Sequence, residues 1–106
     1  MGCCAVFAAL HLPRELEAAI ALDRGGTAAS KHDYANAVIY YNTALAFYPK
    51  APLVWGRLAV AAARAGDKAT EEHALSTLAD LAKDDPKSDA GRELFKATME
   101  ANGGQP

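Results

Sequence analysis

Ser30, His32 and Asp33 are the residue types of a nucleophile, a general base and an orienting carboxylate. Acyl transfer would need the three side chains to point at one another in a fixed relay. Residues crowded into one turn between helices rarely do so, and capping and turn formation explain these types better. His11, His32 and His73 are widely spaced and form no paired ligand motif, so no metal is expected. Cys3 and Cys4 are adjacent, which strains a disulfide and supplies too few separated ligands for structural zinc. Gly25-Gly26 lacks the preceding strand and the remaining glycines of a nucleotide fingerprint. The expectation is a non-enzymatic chain without a cofactor.

A formal net charge of -2 argues against nucleic-acid binding, and Arg14, Arg24, Arg57, Arg64 and Arg92 are scattered singly among acids. Arg57 and Arg64 are nevertheless two helical turns apart on one side. They could hold an acidic ligand group or simply be solvated. The same alternative applies to the tyrosines. Tyr34, Tyr41 and Tyr48 share an apolar stripe, which leaves Tyr40 as the more exposed candidate for a binding strip.

These residues must be positioned by a chain of 106 residues, enough for one domain with a modest core. Hydrophobic residues make up 51%, but alanine dominates that class and β-branched residues are few. Alanine loses no side-chain entropy in a helix and lets helices approach closely, so the expected class is all-α. The run Met1 to Leu12 stands apart. It is shorter than the about 20 apolar residues of a spanning helix and lacks the positive charge of a secretory leader. Gly2-Cys3-Cys4 hints at acylation, yet Val6 stands where that pattern wants Ser or Thr. The run packs on the first helix, belongs to something longer, or attaches to a membrane. A cytoplasmic location is favoured.

Five helices follow from the periodicity, over a domain spanning 13–101 with a frayed tail at 102–106. The first begins at Pro13 and meets Gly25-Gly26, which cost up to about 1 kcal/mol each in a helix interior. Either the helix bends there or a neighbour lies too close for a side chain. Lys31-His32-Asp33 forms a turn with Asp33 as N-cap. The next helix carries Tyr34, Ala37, Val38, Tyr41, Ala44, Leu45 and Tyr48 at steps of three and four, and ends at Pro49. Leu53 to Ala65 carries Trp55, Leu58, Ala59 and Ala62 on one stripe, and Gly66-Asp67 supplies a terminator and a fresh cap. A fourth helix runs from about Thr70 to Lys83 and a fifth from about Ser88 to Ala101. The fifth presents Gly91, Leu94, Phe95 and Thr98 as its apolar side.

The helix pairs repeat. Ala21, Gly25, His32 and Asp33 recur at one constant spacing as Trp55, Ala59, Gly66 and Asp67. Ala37, Tyr41, Ala44 and Pro49 recur at a spacing three positions longer, as Ala74, Leu78, Leu81 and Pro86. Three extra residues are therefore expected in the loop between Gly66 and Ala74, where an exposed turn tolerates insertion.

The shorter spacing is the period of the tetratricopeptide repeat, about 34 residues per helix–turn–helix unit. The stretch Gly25 to Trp55 resembles one such repeat running into its successor. The roles of that family's pattern fall to Gly25, Asp33, Tyr34, Ala37, Tyr41, Ala44 and Pro49, with Trp55 opening the next unit. The second unit keeps Trp55, Leu58, Ala59, Gly66, Asp67 and Pro86, but has Lys68 for the turn tyrosine and Leu81 for a small residue. The resemblance implies antiparallel helix pairs stacked as a short right-handed superhelix of about five helices, two repeats plus a capping helix. It further implies a scaffold or adaptor whose first helices line a concave groove for a peptide or helix of a partner protein. By register that groove would offer Leu22, Gly26, Ala29, Leu53, Arg57, Val60 and Arg64. The chaperone-tail clamp of that family is absent, because Leu22, Gly26, Gly56 and Val60 occupy its sites. A second class of function is a self-associating assembly module, as a homo-oligomer or at a membrane through Met1 to Leu12.

Overall fold

The computed structural model describes residues 14–85 and 87–102, with side chains for 15–85 and 87–101. Five helices account for nearly all of them: α1 (Arg14–Ser30), α2 (Tyr34–Phe47), α3 (Pro52–Ala65), α4 (Lys68–Ala82) and α5 (Asp89–Asn102). There is no strand among the described residues. The expected segment 1–12 with Cys3 and Cys4, together with His11, Pro13, the closing Pro86 and the tail beyond Asn102, lies outside the described residues.

Helix α1 runs unbroken through Gly25-Gly26, with Glu15 and Glu17 in its first turn where a carboxylate complements the helix dipole. Of the two readings of that glycine pair, the close neighbour holds at Gly25 and not at Gly26, whose Cβ would meet only Arg57 Nη1 at 3.9 Å. A Cβ on Gly25 would lie 2.6 Å from Cε1 of Tyr41, so the ring of α2 occupies the space a side chain would take.

The turns α1–α2 and α3–α4 are both Schellman motifs. His32 N–H donates to Ala29 O and Asp33 N–H to Ala28 O; Gly66 N–H donates to Ala63 O and Asp67 N–H to Ala62 O. The residue that must turn left-handed is Gly66 in one (φ 80°) and His32 in the other (φ 61°). The two aspartates then part company. Asp67 caps α4 by accepting from the Thr70 amide (3.2 Å) and hydroxyl (2.6 Å). Asp33 stands at the cap position of α2, but its carboxylate accepts from the Asn36 side chain and makes no cap bond.

The matching turns correct the expected insertion. The bonds from His32 to Ala29, Asp33 to Ala28 and Ala37 to Asp33 recur as Gly66 to Ala63, Asp67 to Ala62 and Glu71 to Asp67. The spacing is the shorter one throughout, and α4 starts directly after Asp67. The three additional residues come later. One lies in the longer helix α4 (15 residues against 14), and two lie in the connection 83–88, which has six residues against four in 48–51. A shift of three residues nearly completes a helical turn, so the longer-spaced match slides along one face without leaving it. In true register Glu71 takes the place of Ala37 and is 8% exposed, a carboxylate where the first unit has a methyl group.

Helix α3 is the centre, packing against α2, α4 and α5. Val54, Trp55, Gly56, Leu58, Ala59, Ala61 and Ala62 are all buried on it. Tyr41 and Trp55 are both buried, and the indole N–H of Trp55 donates to Pro49 O at 2.7 Å, satisfying the ring's one polar atom. The His73 ring meets Trp55 edge-on at 5.4 Å. Small residues let the layers close: a Cβ on Gly56 would sit 2.9 Å from a carboxylate oxygen of Glu93 on α5.

Two expectations fail at the periphery. Phe95 is 69% exposed and Met99 56%, because α5 turns Ala90 and Ala97 inward, with Leu94 partly buried beside them. One residue further along a helix is rotated by about 100°, which carries Phe95 off that face. Tyr48, not Tyr40, is the exposed tyrosine. It lies just past Phe47, the last residue of α2, while Tyr40 packs on the core.

Candidate functional site

The open side of α3 forms the floor of a groove. Leu53, Arg57, Val60 and Arg64 succeed one another at steps of four, three and four, which places them on one stripe away from the buried face. Gly26 and Ala29 of α1 form one wall and Glu93, Lys96 and Glu100 of α5 the other, enclosing about 390 Å³. Tyr34 closes the end where α1 and α3 both terminate.

The residues expected from repeat register thus meet at one place. Gly26, Ala29, Leu53, Arg57, Val60 and Arg64 all line this groove. Leu22 lies just outside it, in a shallow depression along α1 that shares Gly26, Ser30 and Arg57 with the groove. Spacing alone puts Tyr34 on the core stripe, yet it is half-buried and faces the groove. The α5 wall does not follow from reading that helix as a cap. Its packing on α3, with Glu93 beside Gly56, is what brings that wall to the groove.

Charge in the groove is uneven. Arg57 and Arg64 are the only charged residues of α3, both are exposed, and neither has a carboxylate within 4.0 Å among the described residues. The one ion pair there is Arg92 with Asp89, on α5. Arg64 lies with its guanidinium carbon 6.0 Å from the centre of the Tyr34 ring, the distance of a cation–π contact. Tyr34 is tethered in turn, its hydroxyl 2.8 Å from Nδ1 of His32, with the two rings edge-on at 5.7 Å.

Ser30, His32 and Asp33 make no relay. The Ser30 hydroxyl donates to Thr27 O, the His32 ring bonds Tyr34, and Asp33 accepts from Asn36. Among the described residues no three His, Cys, Asp or Glu side chains are grouped as metal ligands, and no helix is long and apolar enough to cross a membrane.

Among the described residues, fold and groove together define a class: a five-helix, all-α domain with an open groove floored by its central helix. No family model matches the chain, and no curated protein and no solved structure is significantly similar to it.

Proposed function

We propose that the chain is a tetratricopeptide-like module, without catalytic activity, that holds a peptide or helical segment of a partner protein in the groove between α1, α3 and α5. In this reading α1–α2 and α3–α4 are stacked helical hairpins of a short right-handed superhelix, and α5 is the capping helix. The repeat reading is supported by two turns whose hydrogen bonds correspond pair for pair at one constant spacing. The functional reading is carried by one observation: six residues singled out by register, from two helices, line a single groove. Apolar Leu53 and Val60 would bury the partner's side chains, while Arg57 and Arg64 fix its orientation.

A peptide array probed with the wild-type chain, Val60→Asp and Arg57→Glu tests the proposal. Peptides retained by the wild type should be lost by both variants while the helical circular dichroism is unchanged. Retention by both variants at wild-type strength would place the partner elsewhere. Exposed Phe95 and Met99 favour a second reading, self-association through the outer face of α5. Light scattering that returns a monomer for the wild type removes it.

A further inference from the structure

We infer that His32 is a positioning residue for partner recognition. It is held in a left-handed backbone conformation so that its ring fixes Tyr34, and Tyr34 in turn holds the Arg64 guanidinium ready for a carboxylate of an acidic peptide. The inference rests on the groove reading proposed above and assigns the ligand chemistry at one end of it.

Four observations converge. First, the turns α1–α2 and α3–α4 have the same hydrogen bonds, yet the left-handed position is Gly66 in one and His32 in the other. A side chain is disfavoured there by contact between Cβ and the backbone, a cost that glycine avoids. Such strain persists where surroundings enforce it and is concentrated at functional sites. Second, the His32 ring is engaged: Nδ1 and the Tyr34 hydroxyl are 2.8 Å apart. Third, Tyr34 lines the groove and its ring carries Arg64 at 6.0 Å. The second unit has Gly66 and Lys68 at the matching positions, so this tether exists only beside the groove end.

The fourth observation is charge. Arg57, Arg64 and Lys96 line the groove against Glu93 and Glu100, on a chain whose formal net charge is -2. Neither arginine has an internal carboxylate partner among the described residues. A planar guanidinium pre-oriented on a ring loses little freedom when it takes a carboxylate through two parallel hydrogen bonds. The segment that complements this groove is an acidic peptide with apolar side chains for Leu53 and Val60.

The test compares wild type, His32→Gly, Tyr34→Phe, Arg64→Gln and Val60→Asp by thermal melting, by the NMR shift of the Arg64 Nε–H, and by retention of two matched pools of random short peptides. One pool is drawn from Asp, Glu, Leu, Val and Gly, and the other has Asn and Gln in place of the acids. His32→Gly should raise Tm, move the Arg64 signal away from its ring-shifted position, and weaken retention of the acidic pool by about threefold to tenfold. Tyr34→Phe should weaken retention similarly without the rise in Tm, and Arg64→Gln should abolish the preference for acids. A histidine with a purely structural role gives the opposite sign, a lower Tm with binding lost only through unfolding, and that outcome overturns the inference. So does an unmoved Arg64 signal with retention unchanged. If the wild type retains an acidic pool that Val60→Asp retains equally, the groove reading itself has failed, whatever the Tm and Arg64 signals show.

Discussion

Replacing Gly25 and Gly26 by alanine, one at a time, separates helix propensity from packing where α1 crosses α2. Both residues lie within α1, so each substitution should gain about 1 kcal/mol from the better helix former. At Gly26 little opposes that gain, since the nearest atom to the new Cβ is Arg57 Nη1 at 3.9 Å, an ordinary contact. At Gly25 the new Cβ would lie 2.6 Å from Cε1, 2.7 Å from Cδ1 and 3.1 Å from Cζ of Tyr41. Carbon atoms are comfortable at about 3.5–4.0 Å, so the overlap approaches about 1 Å. The ring is 3% exposed and has nowhere to swing, which leaves α1 to lift from α2. Overpacking of this kind costs about 1–3 kcal/mol.

The two alanine variants should therefore straddle the wild type. Gly26→Ala is more stable by about 1 kcal/mol, and Gly25→Ala is less stable by about 0–2 kcal/mol once the propensity gain is subtracted. Each kcal/mol shifts Tm by about 4–8 °C in a domain of this size, so thermal and urea melts followed by far-ultraviolet circular dichroism resolve the pair. Tyr41→Leu shortens the intruding group, and in a double-mutant cycle it should recover part of the Gly25→Ala loss. Equal shifts for the two alanine variants, or no coupling to position 41, would refute the claim that the Tyr41 ring lies against Gly25.

Burial on α3 and exposure on α5 make a second contrast: Leu58→Ala should cost about 2–5 kcal/mol by denaturant melting, whereas Phe95→Ser should stay within about 0.5 kcal/mol of wild type because its ring is 69% exposed. A Phe95→Ser loss as large as that of Leu58→Ala would mean that α5 presents the other face. The Asp67 carboxyl is held below its ordinary value of 3.8 by the Thr70 hydroxyl and then by the Thr70 amide. A carboxyl whose folded value is depressed contributes its stability fully above the unfolded value, and loses it as pH falls through the lower folded value. Stability curves of wild type and Asp67→Asn should therefore run apart near neutrality and converge in acid below about pH 4. Parallel curves throughout would show that the cap does not titrate.

Five helices are legible in the sequence because their punctuation is chemical. Pro49, Gly66 and Asp67 end or start elements for reasons that do not depend on the rest of the fold. The groove floor is legible because Leu53, Arg57, Val60 and Arg64 follow from helical period and repeat register alone. What is not legible depends on the third dimension. Sequence matching misplaces the three extra residues because Ala74 and Glu71 are nearly one turn apart on α4, and small-residue matching prefers the alanine. It misplaces Phe95 because the apolar residues of α5 spread over a broad arc, and only the edge with Ala90, Leu94 and Ala97 turns inward. The strain at His32 carries no residue-type signal. Only its correspondence with Gly66 in the second turn points to it, and its hydrogen bond with Tyr34 depends on the folded turn.

The packing around α3 also determines how firmly the groove is held. A binding surface built on loops moves with them, and ordering it costs part of the affinity. Here the floor belongs to α3, whose other side is the most buried surface described. Its alanines and Gly56 are small enough for α4 and α5 to close on the same helix, so α5, which carries a groove wall, is held through Ala97 in the core with Leu94 packed against it. A methyl group at Gly56 would displace the Glu93 carboxylate, a groove-lining group, because its other contacts with α5 stay at ordinary distances of 3.5 and 3.7 Å. The stability of the domain and the shape of the groove thus both depend on one helix. The left-handed His32 lies at the edge of that assembly, where a turn can hold strain without disturbing the packed interior, and where the ring it tethers reaches the last charged residue of the floor.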